Sequence, residues 1–388
     1  MDSGLIHIPY DRPTRTARQT FDWAYDNAIQ ADQAGFTEMM VAEHATQAWE
    51  CIPNPELVIA AAARDTTRIK FGPMAHLLPY HTPGSLAIQV GWLSRILEGR
   101  YFLGIGGGAY PNDAILRGLP ADLSENHARV RECMEIMTRV WKREPFHYQG
   151  KYLTGGYPEE AKSEHEGDEQ HKLADHSPWG GKLDIAVTGL SPESPSMRFA
   201  GENGYMPVSI FSGSSTLKRH WEIYSEAATA NGHPADRSKY HVSQTVLVAD
   251  TDEEAKKRAL QGGIGFCWEH YLWPIWERFD LLSGFIADKG AHKSDVTMEW
   301  LCDNVWIVGS PETCIRKLND LFEFTGGWGT LQVEAHDYMD DPAPWFESLN
   351  RIAQEVAPNI KLPATVTGQP AEPVAARTAE LRSVQMRP

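Results

Sequence analysis

The 388-residue sequence has no apolar run of the roughly 18 residues a membrane helix needs, so a helical membrane protein is excluded. Its first residues, MDSGLIHIPYDRP, lack the basic start and apolar core of a secretory leader, and a cytoplasmic location is expected. Cysteine is scarce: five, at positions 51, 133, 267, 302 and 314, odd in number and without CxxC spacing. That pattern gives neither a disulfide framework nor a zinc site. The fifteen histidines are dispersed with no HExxH-like spacing, so no metal is expected. No GxSxG elbow is present, which leaves covalent serine catalysis without support. Basic residues are outnumbered, 36 Lys and Arg against 52 Asp and Glu, for a formal net charge of −16. Nucleic acid needs clustered cations and is not expected as a partner. A single phosphate held by backbone N–H groups remains compatible with that charge.

What the chain does have is aromatic side chains, thirteen each of Trp, Tyr and Phe, and a regular alternation of strand-like and helix-like runs. The aromatics fill a core or line an apolar pocket against a flat ring; composition leaves both open. The strand-like runs are LIHIP from Leu5, TEMMVAEH ending at His44, IKFGPMAHLLP, RYFLGIGGG, DIAVTG from Asp184, YMPVSI, HVSQTVLVAD and TLQVEA. Amphipathic segments separate them, beginning with 16–34, which stops at Gly35. Eight such units predict an α/β fold, a TIM-type (β/α)₈ barrel formed by residues 1–363 as a single domain. Two long insertions interrupt it, after strands four and seven. One, at about 150–182, is polar and charged; the other, at about 262–303, contains FCWEHYLWPIW. Residues 364–388, rich in Ala, Pro, Thr and Arg, are expected to be a flexible tail.

In such barrels chemistry gathers at the C-terminal ends of the strands. Glu43 and His44 end the second strand, and a histidine there either handles a proton or bonds a neighbouring carbonyl. Met74 and Ala75 lie near the end of the third. Gly106, Gly107 and Gly108 end the fourth and strip side chains from the rim, so that a ligand can lie against the backbone or the chain can turn tightly. This run is not a dinucleotide fingerprint, since no GxGxxG opens a helix. Thr188, Gly189, Ser191, Ser194 and Ser196 follow the fifth strand and lead into a helix. One helix cap needs one serine, so the surplus points to an anion at the helix N-terminus.

At these residues the sequence resembles the bacterial luciferase-like flavin-dependent monooxygenases over roughly residues 1–360. The carriers are AGFTEMMVAEH, GPMAHLLPYHTP, LSRILEGRYFLGIGGG, AVTGLSPESPSMRFAGENGYMPVSI and VGSPETCIRKLNDLFEFTGGWGTLQVEAHD, in that order. The closing segments are most similar to the limonene-type branch. The resemblance implies a two-component monooxygenase. A separate flavin reductase supplies reduced FMN, oxygen forms a flavin hydroperoxide, and one oxygen atom enters a small organic substrate. It implies that His44 stabilises the oxygenated flavin, that a non-prolyl cis peptide joins Met74 and Ala75 beneath the ring, and that Gly106 faces the reactive carbon. Thr188 to Ser196 then hold the phosphate, and Phe211 stands beside the flavin. Met39, Glu43, Trp49, Trp92 and the aromatic stretch 266–276 would line a pocket for an apolar, cyclic or aromatic substrate. A homodimer through the second and third helices is the family's habit. The sequence departs from the family where Gly107 replaces a common arginine, which leaves flavin contacts there to backbone, Arg117 or Arg129. Two other readings share the barrel: a deazaflavin-dependent hydride-transfer enzyme, and a non-catalytic supporting subunit.

Overall fold

The computed structural model describes residues 1–159, 172–278 and 280–364. Part of the polar insertion (160–171) and the tail beyond Ala364 lie outside the described residues.

Among the described residues thirteen strands follow one another: β1 (Asp2–His7), β2 (Glu38–Val41), β3 (Lys70–Pro73), β4 (His76–Leu77), β5 (Leu103–Gly106), β6 (Phe146–Gln149), β7 (Thr154–Tyr157), β8 (Ile185–Gly189), β9 (Met206–Ser209), β10 (His241–Gln244), β11 (Val246–Val248), β12 (Ile307–Gly309) and β13 (Thr330–Glu334). Nine of them form one parallel sheet in the order β3-β2-β1-β13-β10-β9-β8-β5-β4. The expected third strand is broken at Met74–Ala75 into β3 and β4. Because β4 pairs with β5 and Phe71 bridges Tyr101, the sheet nearly closes on itself. The resulting barrel matches the expected α/β architecture.

Most of the long helices between the strands fall where the sequence places them. Thr16 and Gln19 form a capping box ahead of α1 (Ala17–Ala34), which ends at Gly35 with φ 110°. Next come α2 (Pro55–Ala62), α3 (Pro83–Ile96), the short α4 (Pro111–Leu116) and α5 (Asn126–Lys142). Ser194 caps α6 (Pro195–Asn203), and α7 (Ser214–Ala230) follows β9. Thr251 caps α8 (Asp252–Gln261). The aromatic insertion is helical, with α9 (Gly263–Cys267), a π-turn, α10 (Trp273–Arg278), α11 (Leu282–Lys289) and α12 (Met298–Asn304). Then α13 (Pro311–Thr325) and α14 (Ala343–Arg351) complete the outer layer. Not expected from the sequence are α4, the helices of the aromatic insertion, the β6–β7 hairpin and the pairing of β11 with β12.

Register fixes which side chains enter the barrel. Gly4, Glu38 and Gln332 stand in register, and the Gln332 amide donates to Glu38. A Cβ on Gly4 would lie 2.4 Å from that amide, so glycine makes the room. His241 Nε2 pairs with Glu38 at 2.9 Å. This polar plug closes the N-terminal end and leaves the opposite end as the mouth. Alternation then sends Met40, Gly72, Gly104, Gly106, Thr188, Ser243 and Glu334 inward.

Candidate functional site

One wall of the mouth is almost bare. The Met74–Ala75 peptide is cis, and both side chains face β5. A Cβ placed on Gly106 would lie 3.2 Å from the Ala75 Cβ and 3.8 Å from Thr188 Oγ1, so these three residues meet. A flat ring could lie against them. Gly107 is half-buried beside Asn126, whose side-chain amide donates to the Gly107 carbonyl at 2.6 Å.

His44 follows β2 and stands between two carboxyl groups. Its Nδ1 is 3.4 Å from Asp113 Oδ2, and its Nε2 is 3.4 Å from Glu50 Oε2. The Tyr110 ring meets it edge-on at 5.1 Å. Asp113, on α4, also accepts from the Thr46 hydroxyl at 2.6 Å and the Thr46 N–H at 2.9 Å, so it fixes the loop that carries His44. Burial opposes charge on both groups. The hydrogen bonds from His44 and Thr46 overcome it at Asp113 and hold that carboxyl low. At His44 the bond to Asp113 and the charge of Glu50 overcome it and raise the imidazole. Asp113, Glu50, Tyr110 and Asn126 were not among the residues singled out in the sequence. The YPND segment directly after the glycine run was the signal for two of them.

The serine-rich loop leads into α6. Ser194, buried, accepts from the Met197 N–H and acts as the cap. A Cβ on Gly189 would come within 3.0 Å of the Ser194 hydroxyl, so glycine lets the loop fold back. His220 bonds the Ser191 carbonyl at 2.8 Å. Glu193 is held by Arg219 at 2.7 and 2.8 Å, which neutralises the one acid before the helix. The first turn of α6 carries no acid, and Ser191 and Ser196 stay accessible. These features suit an anion at the helix N-terminus.

The opposite wall and roof are aromatic. Trp49 stacks on Tyr271 at 5.3 Å, Tyr271 lies 6.4 Å from Tyr10, and Tyr10 lies 6.0 Å from Phe211. Phe211 also meets Trp276 at 6.1 Å. Tyr271 and Trp276 come from the aromatic insertion, which therefore roofs the mouth. Phe211 has φ 48°, a left-handed conformation unusual for an aromatic residue, and its N–H donates to Ser243. Ser243 and Thr245 donate in turn to Glu334, whose carboxyl burial pushes up to about 7.

Three residues expected in the pocket stand elsewhere. Met39 is fully buried, but alternation turns it outward to the helix layer and gives the interior position to Met40. Trp92 is 60% exposed on the outer face of α3. Glu43 also faces outward, behind the wall. It accepts from His76 Nδ1 at 2.8 Å and His81 Nε2 at 2.9 Å, and pairs with Arg117 at 3.2 Å. Glu43, His76 and His81 are near enough to surround a cation. The Arg117 guanidinium already supplies positive charge there, so the cluster is an ion network. That engagement, and the position of Arg129 over the Tyr152 ring at 4.5 Å, ties both arginines to neighbouring side chains.

The luciferase-like monooxygenase profile matches residues 1–327. The chain belongs to the luciferase-like monooxygenase family. Among its relatives, 3,6-diketocamphane 1,6-monooxygenase of Pseudomonas putida is 59% identical over 94% of this chain and 99% of its own length. A 2,5-diketocamphane 1,2-monooxygenase of the same organism is 48% identical over 93% and 99%. Limonene 1,2-monooxygenase of Rhodococcus erythropolis is more distant, at 26% over 92% and 86%. The solved oxygenating constituent of 3,6-diketocamphane monooxygenase, a type II Baeyer-Villiger monooxygenase in complex with FMN, superposes with a TM-score of 0.90 over 94% of this chain and 99% of that one. A coenzyme F420-dependent reductase from Methanopyrus kandleri, 18% identical, shares the fold with a TM-score of 0.64 over 93% and 99%.

Proposed function

We propose that the protein is the oxygenating component of a two-component Baeyer-Villiger monooxygenase that uses reduced FMN and O2 to convert a small bicyclic ketone of the diketocamphane type into a lactone. The carrying observation is the bare wall of Ala75, Gly106 and Thr188 facing His44 under an aromatic roof. A flat ring fits where a Cβ at position 106 would otherwise stand, and the α6 N-terminus with Ser191 and Ser196 fits the phosphate. Bound there, reduced FMN supplies two electrons and the oxygen-activating carbon. One oxygen atom enters the C–C bond beside the carbonyl and the other leaves as water.

The chain's own residues bind, orient and exclude. Asp113 holds His44 by Nδ1, while Nε2 lies 3.4 Å from Glu50 and is the nitrogen available to the bound ligand. Trp49, Tyr271, Tyr10 and Phe211 surround the substrate with apolar surface and keep water out. Residues 1–363 act as one barrel domain, and the aromatic insertion after the seventh barrel strand is its lid. A separate flavin reductase supplies the cofactor. The protein acts as a homodimer through α2 and α3, where Leu57, Ile88, Trp92 and Ile96 present exposed apolar side chains.

Incubation of the purified protein with reduced FMN, a diketocamphane and ¹⁸O₂ tests this reading. The expected product is a lactone carrying one labelled atom. Tight binding of a reduced deazaflavin with no label incorporation would overturn it in favour of hydride transfer.

A further inference from the structure

The side of His44 away from Asp113 carries a second acid. Glu50 lies in the loop after β2, is 5% exposed, and sets Oε2 3.4 Å from His44 Nε2. The Tyr110 hydroxyl, from the loop after β5, donates to the same oxygen at 3.4 Å. The other titratable groups that face Glu50 are Asp113 on α4, Tyr10 beyond β1, Cys267 at the end of α9 and Tyr271 in the π-turn of the roof. His44 also feels Glu43, its chain neighbour. His44 therefore stands in a ring of acids and hydroxyls.

Asp113 and Glu50 are held differently. Asp113 is pinned by two N–H groups and a hydroxyl from residues 45 and 46 in addition to His44, and it remains a carboxylate. Among the described residues Glu50 is met only by His44, a long hydrogen bond from the Tyr110 hydroxyl and the nearby Tyr271 hydroxyl, with no backbone N–H on its carboxyl, and burial prevails over them and raises it. Nδ1 of the imidazole is thus a fixed anchor, whereas Nε2 has a partner that can give way.

We propose that Glu50 is a positioning residue that shares one proton with His44 Nε2 and holds the imidazole protonated and aimed at the barrel mouth until an oxygen of the bound ligand takes its place. The step is a simple transfer. The Nε2–H bond breaks as the Glu50 O–H bond forms, so an imidazolium–carboxylate pair becomes a neutral pair, and the reverse restores it. No electrons move, and Asp113 keeps its charge in both states. The role at the ligand oxygen rests on the flavin reading above; the shared proton does not.

The test begins with the cofactor-free protein. Histidine ¹⁵N chemical shifts report the titration of His44 in wild type, Glu50→Gln and Glu50→Asp. We expect Glu50→Gln to lower the His44 pKa by about one unit or more, because an opposite charge within hydrogen-bond reach is lost. Glu50→Asp, with its shorter reach, should shift it the same way by less, and it decides the matter if the glutamine variant does not fold. Turnover of a diketocamphane with reduced FMN is then followed against pH, where the limb set by His44 should move in the variant while KM for the ketone holds. An unchanged His44 titration, or superimposable pH profiles, would overturn the role of Glu50. Absence of lactone from the wild type would instead sink the proposed function, and the titration would still decide the shared proton.

Discussion

Glu43 Oε2 accepts from His76 Nδ1 at 2.8 Å, which ties the residue before His44 to the residue after Ala75. Both walls of the mouth thereby hang on one buried carboxylate, which also takes the Leu77 N–H at 3.3 Å. The far nitrogen of His76 faces Glu56 on α2. Removing one partner of such a network leaves the others buried without compensation. Glu43→Ala should therefore cost about 3–5 kcal/mol and weaken reduced-FMN binding with it. Urea unfolding followed by fluorescence measures the first; a loss below about 1 kcal/mol would mean the network carries little stability.

The same network gives a pH dependence with a definite sign. Burial would raise the Glu43 carboxyl, but hydrogen bonds from His76 and His81 hold it below its ordinary value. Its contribution is present above the ordinary carboxyl pKa and is lost as pH falls toward the depressed one. Burial would lower His76, but Glu43 and Glu56 raise it, so its contribution is present below the ordinary imidazole pKa and lost as pH rises through the raised one. Stability in wild type should fall on both sides of neutrality, and Glu43→Gln should flatten both limbs. Thermal melts from pH 2 to 10 check this.

Glu334 acts in the opposite direction from an ion-paired acid. It is buried at the mouth end of β13 with hydroxyl donors alone, from Ser243 and Thr245, and is pushed up to about 7. The native state then binds a proton that the unfolded chain has already released, so stability declines as pH rises from about 4.5 to about 7. Glu334→Gln, which keeps the shape and stays neutral, should be more stable than wild type at pH 8, on the order of 2 kcal/mol. Equal melting temperatures for the two proteins at pH 8 would show that Glu334 is ionised there without penalty.

The barrel was legible in the sequence because parallel strands buried on both faces read as apolar runs, and Gly and Ser punctuate the helices between them. His44, the Met74–Ala75 bond and the Gly106 wall were placed by position at strand ends and by resemblance. Met39 and Glu43 were misplaced for one reason: a two-residue period decides inside from outside, and neither sits on the inward phase set by Glu38 and Met40. Trp92 was misplaced because an aromatic on a helix gives no sign of whether it faces a core or another surface. Glu50 and Asp113 went unnoticed because only folding brings them to His44, from the loop six residues on and from α4.

Space at two glycines separates folding from binding. A Cβ at Gly104 would lie 2.0 Å from the Pro73 carbonyl oxygen, which is backbone and cannot yield. Gly104→Ala should cost about 3 kcal/mol or more, at or beyond the upper range for overpacking. At Gly106 the nearest atom is the Ala75 Cβ at 3.2 Å, a contact that a shift of a few tenths of an ångström relieves. Gly106→Ala should fold with a loss of about 1 kcal/mol, yet bind reduced FMN roughly tenfold more weakly, since the methyl group stands where the ring would lie. Anaerobic fluorescence titration distinguishes the two. Undiminished FMN affinity in Gly106→Ala would remove that wall from the cofactor site.

Trp92 offers the sharpest test of assembly. Ile88, Trp92 and Ile96 recur every four residues on α3, so they form one stripe, and all three are exposed along with Leu57 on α2. Such a stripe on a surface otherwise rich in charge suits burial, and in the proposed homodimer a second copy of the chain would cover it through a two-fold axis. Trp92→Glu places two carboxylates against each other across that axis. It should weaken the dimer by about 100-fold or more while leaving the barrel folded, since the side chain is outside the core. Light scattering across a dilution series reads the mass directly. A dimer of undiminished stability in the variant would move the interface away from α3, and a monomeric wild type would show that the stripe serves another surface.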